Sequence, residues 1–251
     1  MSSIIIGLIS FAAIFGGVLT GVLVARRLPG HHLSTETQSA VTVAVAVIGT
    51  LSALVLGLMI TAANHSFSAR SDEVRELSLQ LIRMERNLRR YGPEANDARA
   101  KLSTWAEAKT HQLFPIEGQA RPSSQTTIVM LENVQDAVLA LTPKDEKQKY
   151  LRTLCVNLSS TIIQARWALE TRAGHSVPVP FLVLLIFWLA IVFTSFGLFA
   201  PANPTTIVVL FLCCLAVSGG ILLIEELDNP QSGLIQISSD SMRKALVEIT
   251  R

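Results

Sequence analysis

Four long stretches of the chain carry almost no charge, and between the second and third of them apolar residues recur at helical spacing among many charges. The apolar stretches run from about Ile4 to Ala25, Ala40 to Ala63, Val179 to Ala200 and Thr205 to Ile224. A hydrocarbon layer of roughly 30 Å takes about 20 residues of helix, so each stretch is long enough to span. The first has only Met1, Ser2 and Ser3 before it, with no basic segment and no convincing cleavage site, and is expected to be a retained span rather than a signal peptide. It ends at Arg26 and Arg27, whose long side chains can reach a polar interface. Pro201-Ala202-Asn203-Pro204 is a tight turn, so the last two spans must be antiparallel neighbours.

After the second stretch the pattern changes. Val74, Leu77, Leu81, Met84, Leu88 and Tyr91 are separated by alternating gaps of three and four, a heptad-like seam with Arg and Glu on the other faces. Neither Pro nor Gly lies between Thr61 and Tyr91, which predicts that the second span continues into this seam as one long rod. Gly92-Pro93 should stop it. A helix is predicted from Glu94 to about Leu113, with Ala98, Leu102, Trp105 and Leu113 inward. A loop through Gly118 and Pro122 follows. The next helix, from about Gln125 to Leu141, turns Ile128, Leu131, Val134, Val138 and Leu141 inward. Thr142-Pro143 reads as an N-cap with proline at the first helical position, and Asp145 and Glu146 suit the first turn. The helix that follows places Leu151, Leu154, Leu158, Ile162, Ala165 and Leu169 on one face, and Gly174 closes it. Ser239 to Ile249 is a short amphipathic helix with Met242, Ala245, Leu246 and Ile249 apolar. No strand pattern and no repeat stands out.

The expected fold class is therefore all-α: an integral membrane protein with four transmembrane helices and a helical bundle inserted between spans two and three. The domains are expected at residues 1–65 (a transmembrane hairpin), 66–177 (the helical domain), 178–225 (a second hairpin) and 226–251 (a C-terminal tail). Four spans put both termini on the domain's side. Arg70, Arg75, Arg83, Arg166, Arg172, Arg243 and Lys244 lie on that side, against Arg26 and Arg27 on the other. Positive residues favour the cytoplasm, which places the domain and both termini there.

Composition agrees. Half of the 251 residues are hydrophobic and 16% are charged, against about 25% charged in a typical soluble domain. A net charge of +2 with no basic block among aromatics argues against nucleic acid. Cys155, Cys213 and Cys214 form neither a disulfide framework nor a zinc motif and read as small packing residues. His31, His32, His65, His111 and His175 are scattered, and no nucleophile elbow, P-loop or HExxH occurs. No enzyme, cofactor or metal site is expected.

Two groups of residues are candidates for function. In the second span Thr42, Ala46, Gly49, Ala53, Gly57, Thr61 and Asn64, with Thr50 beside them, form a stripe of small and weakly polar side chains. Such a stripe is either a close-packing surface, like the GxxxG of Gly17 and Gly21 in the first span, or a pore wall. The residues alone favour packing. The second group is Glu225, Glu226 and Asp228 at the end of the last span. Carboxylates at a helix C-terminus oppose the dipole, so a structural ion-pair corner with Arg166 or Arg172 is expected.

Several segments together resemble the bacterial bestrophin-like membrane proteins. They are Leu54-Val55-Leu56-Gly57-Leu58, Arg90-Tyr91-Gly92-Pro93-Glu94-Ala95, Ala165-Arg166-Trp167, Pro180-Phe181-Leu182, Phe196-Gly197-Leu198-Phe199-Ala200-Pro201, and Asp228-Asn229-Pro230-Gln231-Ser232-Gly233-Leu234-Ile235. A looser similarity to the bestrophins implies a homo-oligomer, a pentamer in that family, conducting inorganic anions through a pore lined by span two. That resemblance reverses the order of the two readings of the stripe. Gln231 stands where bestrophins have an aromatic and no acidic run follows Gly233, so no calcium clasp carries over. Residues 40–63 contain no Phe, Tyr or Trp, so the aromatic constriction does not carry over either. The alternative function is a non-transporting membrane scaffold or signalling protein whose bundle binds a partner.

Overall fold

The structure, a computed structural model, describes residues 3–29, 34–115, 120–171, 178–201, 203–228 and 235–250, and every regular element among them is helical. The elements are α1 (Ser3–Ala25), α2 (Thr35–Tyr91), a 3₁₀ turn (Pro93–Ala95), α3 (Asn96–Leu113), α4 (Ser124–Leu139), α5 (Glu146–Thr171), α6 (Val179–Phe199), α7 (Pro204–Asp228) and α8 (Asp240–Ile249). The chain divides into two compact units, Met1–Phe67 with His175–Gln236, and Ser68–Gly174 with Ile237–Arg251.

In the first unit α1, the first part of α2, α6 and α7 are each long and apolar enough to cross a membrane. Ile14, Val18, Leu185, Cys214, Ile221 and Ile224 are buried in its core. Phe211 of α7 meets Phe11 and Phe15 of α1 edge-on, with ring centroids 5.3 and 5.4 Å away. Helices α1 and α6 touch backbone to backbone. A Cβ on Gly21 would lie 2.1 Å from the Thr194 carbonyl oxygen, and one on Gly197 would lie 2.2 Å from that of Val18. The GxxxG of Gly17 and Gly21 is thus a packing motif, in which absent side chains let backbones approach. The outside is apolar: Leu8, Leu23, Leu54, Leu58, Phe187 and Leu212 are all exposed. Water would penalise that surface and lipid chains would not. Several hydroxyls on these helices bond back to carbonyls one turn earlier, as Ser10 does to Ile6 (2.8 Å) and Thr194 to Ala190 (2.6 Å), and so need no water.

In the second unit the predicted seam is the core. Val74, Leu77, Leu81, Met84, Leu88 and Tyr91 are all buried, together with Ala98, Leu102 and Trp105 of α3. Trp105 donates its indole N–H to the Thr127 carbonyl at 2.8 Å, satisfying the polar edge of a buried ring. The rod is one helix of 57 residues. Gly92 ends it at φ 124°, a conformation that other residues rarely adopt, and Pro93 cannot supply the next helical N–H.

Local expectations shift at three points. Thr142-Pro143 does not cap α5. The helix starts at Glu146, and the Asp145 carboxylate accepts the Gln148 N–H at 2.6 Å. Aspartate caps at least as well as threonine, and its place suits the third amide. On α4, Thr127 is buried while Ile128 is half-buried. On α5, Leu151, Cys155, Ser159, Ile162 and Arg166 are the buried positions, while Leu154, Leu158, Ala165 and Leu169 are half-buried. Gly174, expected to close this helix, lies outside the described residues.

Helix α8 belongs to this second unit. Met242, Ala245 and Ile249 enter its core. Arg86 pairs with Glu248 at 3.3 Å, and Arg89 donates to the Glu248 carbonyl at 3.2 Å. The latter places a cation on the negative end of the α8 dipole. Glu85, whose side chain is fully buried, accepts from Arg99 at 2.8 Å and 2.7 Å and from Arg89 at 3.3 Å, all through one carboxylate oxygen. Removing one partner of a buried pair strands the other. Arg99→Ala, which leaves the buried Glu85 carboxylate with only Arg89 at 3.3 Å, should therefore destabilise the protein by about 3 kcal/mol, read as a lowered unfolding midpoint of the detergent-solubilised chain. A change within error would show that the pair is solvated.

Candidate functional site: the open face of α2

Helix α2 uses one face to pack in the first unit. Val45, Ser52, Met59 and Ala63 are buried, and Ile48, Val55, Leu56 and Ile60 pack beside them. The small-residue stripe is a different face. Thr42, Ala46, Thr50, Ala53, Gly57, Thr61 and Asn64 are exposed and Gly49 is half-buried. A Cβ on Gly49 or Gly57 would meet nothing within 4 Å, in contrast to Gly17, Gly21 and Gly197. The residues alone favour packing for both sets of glycines, with a pore wall as the other reading of the α2 set, and the structure separates the two sets. The α1 set packs within the chain and the α2 set does not.

The Thr50 hydroxyl donates to the Ala46 carbonyl at 2.8 Å, and Thr61 donates to Gly57 at 2.9 Å. Their protons are satisfied within the helix, so at these two positions the stripe needs no second helix to complete its hydrogen bonds. Toward the start of α2 the stripe borders a groove of about 460 Å³. Thr42, Ala46 and Gly49 form one wall, with Val192, Ser195, Phe196 and Phe199 of α6 and Leu210 of α7 opposite.

The open face does not stop at Asn64. Positions eleven apart fall about 20° apart around an α-helix, because eleven residues make just over three turns. Three such lines run down α2: Thr42, Ala53, Asn64, Arg75, Arg86; Ala46, Gly57, Ser68, Leu79, Arg90; and Thr50, Thr61, Asp72, Arg83. Every one of these residues is exposed. The seven-residue seam of the bundle drew attention to the buried face. An eleven-residue search over the polar positions would have found the open one.

The acidic candidates are buried. Glu225, Glu226 and Asp228 are 8%, 4% and 3% exposed in the last turn of α7, and the second carboxylate oxygen of Glu226 accepts the Ile235 N–H at 3.3 Å. Arg166, on α5 of the other unit, is 2% exposed, and its guanidinium carbon stands 5.1 Å from the Trp167 ring centroid. Arg172, His31, His32 and His175 lie outside the described residues, as do residues 229–234 of the Asp228–Ile235 segment. Among the described residues no three His, Cys, Asp or Glu side chains group as metal ligands.

Three comparisons bear on this architecture. The family model of the bestrophin-like domain matches residues 12–242. Two crystal structures of point variants of a bacterial bestrophin homologue from Klebsiella pneumoniae superpose along the whole chain. One has a TM-score of 0.71 at 16% identity, covering 100% of both chains. The other has a TM-score of 0.73 at 14% identity, covering 99% of this chain and 97% of that one. No curated protein matches. At such identities the superposition speaks for a shared fold, and the family match, which covers nearly the full length, speaks for descent. The chain belongs to the bestrophin-like family.

Proposed function

We propose that the protein is the subunit of an oligomeric channel for inorganic anions, with the open face of α2 lining the axis. The observation that carries this reading is the contrast between glycines. Gly17 and Gly21 of α1 are consumed by packing within the chain, while Gly49 and Gly57 of α2 face empty space. A long face of small, neutral and weakly polar residues, left uncovered by its own chain, suits a ring of identical helices around a path for a partly dehydrated ion. The bestrophin-like family and the fold shared with a bacterial bestrophin homologue support it. In this reading all four apolar helices cross the inner membrane, and the helical unit with both termini lies in the cytoplasm, as the distribution of arginines suggests.

The test is anion flux from liposomes carrying the purified chain, together with its mass in detergent. Anion efflux and a mass of several subunits are expected. A monomer without flux would overturn the proposal and leave the scaffold reading. The exposed Leu139 and Tyr150 on the helical unit would then be the place to look for a partner.

A further inference from the structure

The lower part of the open face of α2 changes character. Below Ser68 the three lines carry Asp72, Arg75, Leu79, Arg83, Arg86 and Arg90, and the exposed Glu76 lies beside the Arg83 line, so four cations stand against two acids. Arg86 is held by Glu248. Among the described residues no carboxylate lies within ion-pair distance of Arg75, Arg83 or Arg90, and all three are exposed. Elsewhere on this helix arginine does have carboxylate partners, as Arg89 shows with Glu85. The three are therefore not simply the basic halves of helix-surface pairs. They recur on the face that, toward the start of the same helix, is the neutral stripe.

We infer that this basic face collects small inorganic anions at the domain-side mouth of the path and so sets the sign of the ion that enters. Its role as a mouth rests on the channel reading above. Its ability to collect anions does not. A ring of subunits would multiply the effect, because each copy brings its own arginines to one axis, and fields of one sign add in a confined aqueous space. The arginines are solvated, so the effect is long-range attraction rather than tight binding. It should fade as salt shortens the screening length from about 10 Å at 0.1 M to about 3 Å at 1 M.

The local potential can be read without any conduction. Leu79 lies on the Arg90 line, flanked by the lines of Arg75 and Arg83, and is 43% exposed, so Leu79→Cys places a reporter thiol there. Cys155 is buried, with burial pushing its thiol up to about 12, and stays unreactive near neutral pH. Cys213 and Cys214 lie in an apolar helix that charged reagents enter poorly. The probes are an anionic and a cationic methanethiosulfonate, each referenced to its rate with a free thiol and to the chain without Leu79→Cys.

In the full-length protein at low salt the anionic reagent should react faster than the cationic one. Arg83→Glu with Arg90→Glu should lower that ratio by roughly tenfold, and 1 M salt should largely erase the difference. The same double variant should cut anion flux several-fold at low salt and much less at high salt. If the rate ratio does not move with the charge reversal, the inference is wrong. If it moves while flux of an active channel is unchanged, the face is no mouth, and the inference fails on that count. If it moves and the parent chain carries no anion at all, the collecting face stands and the channel reading falls.

Discussion

Gly21→Leu should prevent the protein from accumulating in a folded form. A side chain there begins with a Cβ 2.1 Å from the Thr194 carbonyl oxygen and 2.8 Å from the Leu198 nitrogen. Both obstacles are backbone, so no rotamer change relieves the clash, and α1 and α6 must move apart. Overpacking a core commonly costs about 1–3 kcal/mol when side chains can adjust, and here they cannot. Separation would also open the contact that Gly197 makes with the Val18 carbonyl. The expected result is loss of the monodisperse peak on size exclusion in detergent. Gly16→Leu is the control: it lies on the same helix and makes the same chemical change, yet a Cβ there meets nothing within 4 Å. It should behave as the parent does. If Gly21→Leu purifies and melts like the parent, the backbone contact of α1 with α6 is not as described.

Gly57→Leu should have the opposite profile: intact fold, lost conduction. Nothing lies within 4 Å of the added Cβ inside the chain. Leucine is a better helix former than glycine by roughly 0.8 kcal/mol, so subunit stability should hold or rise slightly. In a ring of α2 helices the same side chain enters the axis once per subunit, and anion flux should fall at least tenfold. Thr50→Phe, seven residues earlier on the open face, should act likewise. Mass in detergent separates blockage from dissociation, because a blocked ring keeps its parent mass. Unchanged flux in both variants would move the path off this face.

Much of the helical order was readable before any coordinates. Hydrocarbon-length runs and the alternating gaps from Val74 to Tyr91 reflect burial of one side of a helix, and periodicity reports that directly. The absence of helix breakers between Thr61 and Tyr91 led to one rod, and Gly92-Pro93 to its end. Capping was less legible. Thr142 and Asp145 are both competent caps, and the choice depended on where Gln148 and Lys144 could close the turn: the Lys144 N–H donates to Gln148 at 2.8 Å and its ammonium to Glu94 at 2.6 Å. The α5 face was rotated for a similar reason. Cysteine, serine and arginine score as polar or neutral in a periodic pattern, yet Cys155, Ser159 and Arg166 are among the best-buried residues of that helix.

By itself the sequence determined which segments are helical, which helices are apolar enough for lipid, and that small residues line one side of the second. These follow from local chain chemistry and from spacing. It could not determine which small residues are covered, because glycine looks the same whether a neighbouring backbone rests on it or nothing does. Tertiary structure decided that. It set α6 against Gly17 and Gly21, left Gly49 and Gly57 open, and docked α8 through Arg86 and Arg89 onto a helix some 160 positions away in the chain. Contacts of that reach depend on how helices are placed in space, and no pattern within one helix encodes its neighbour.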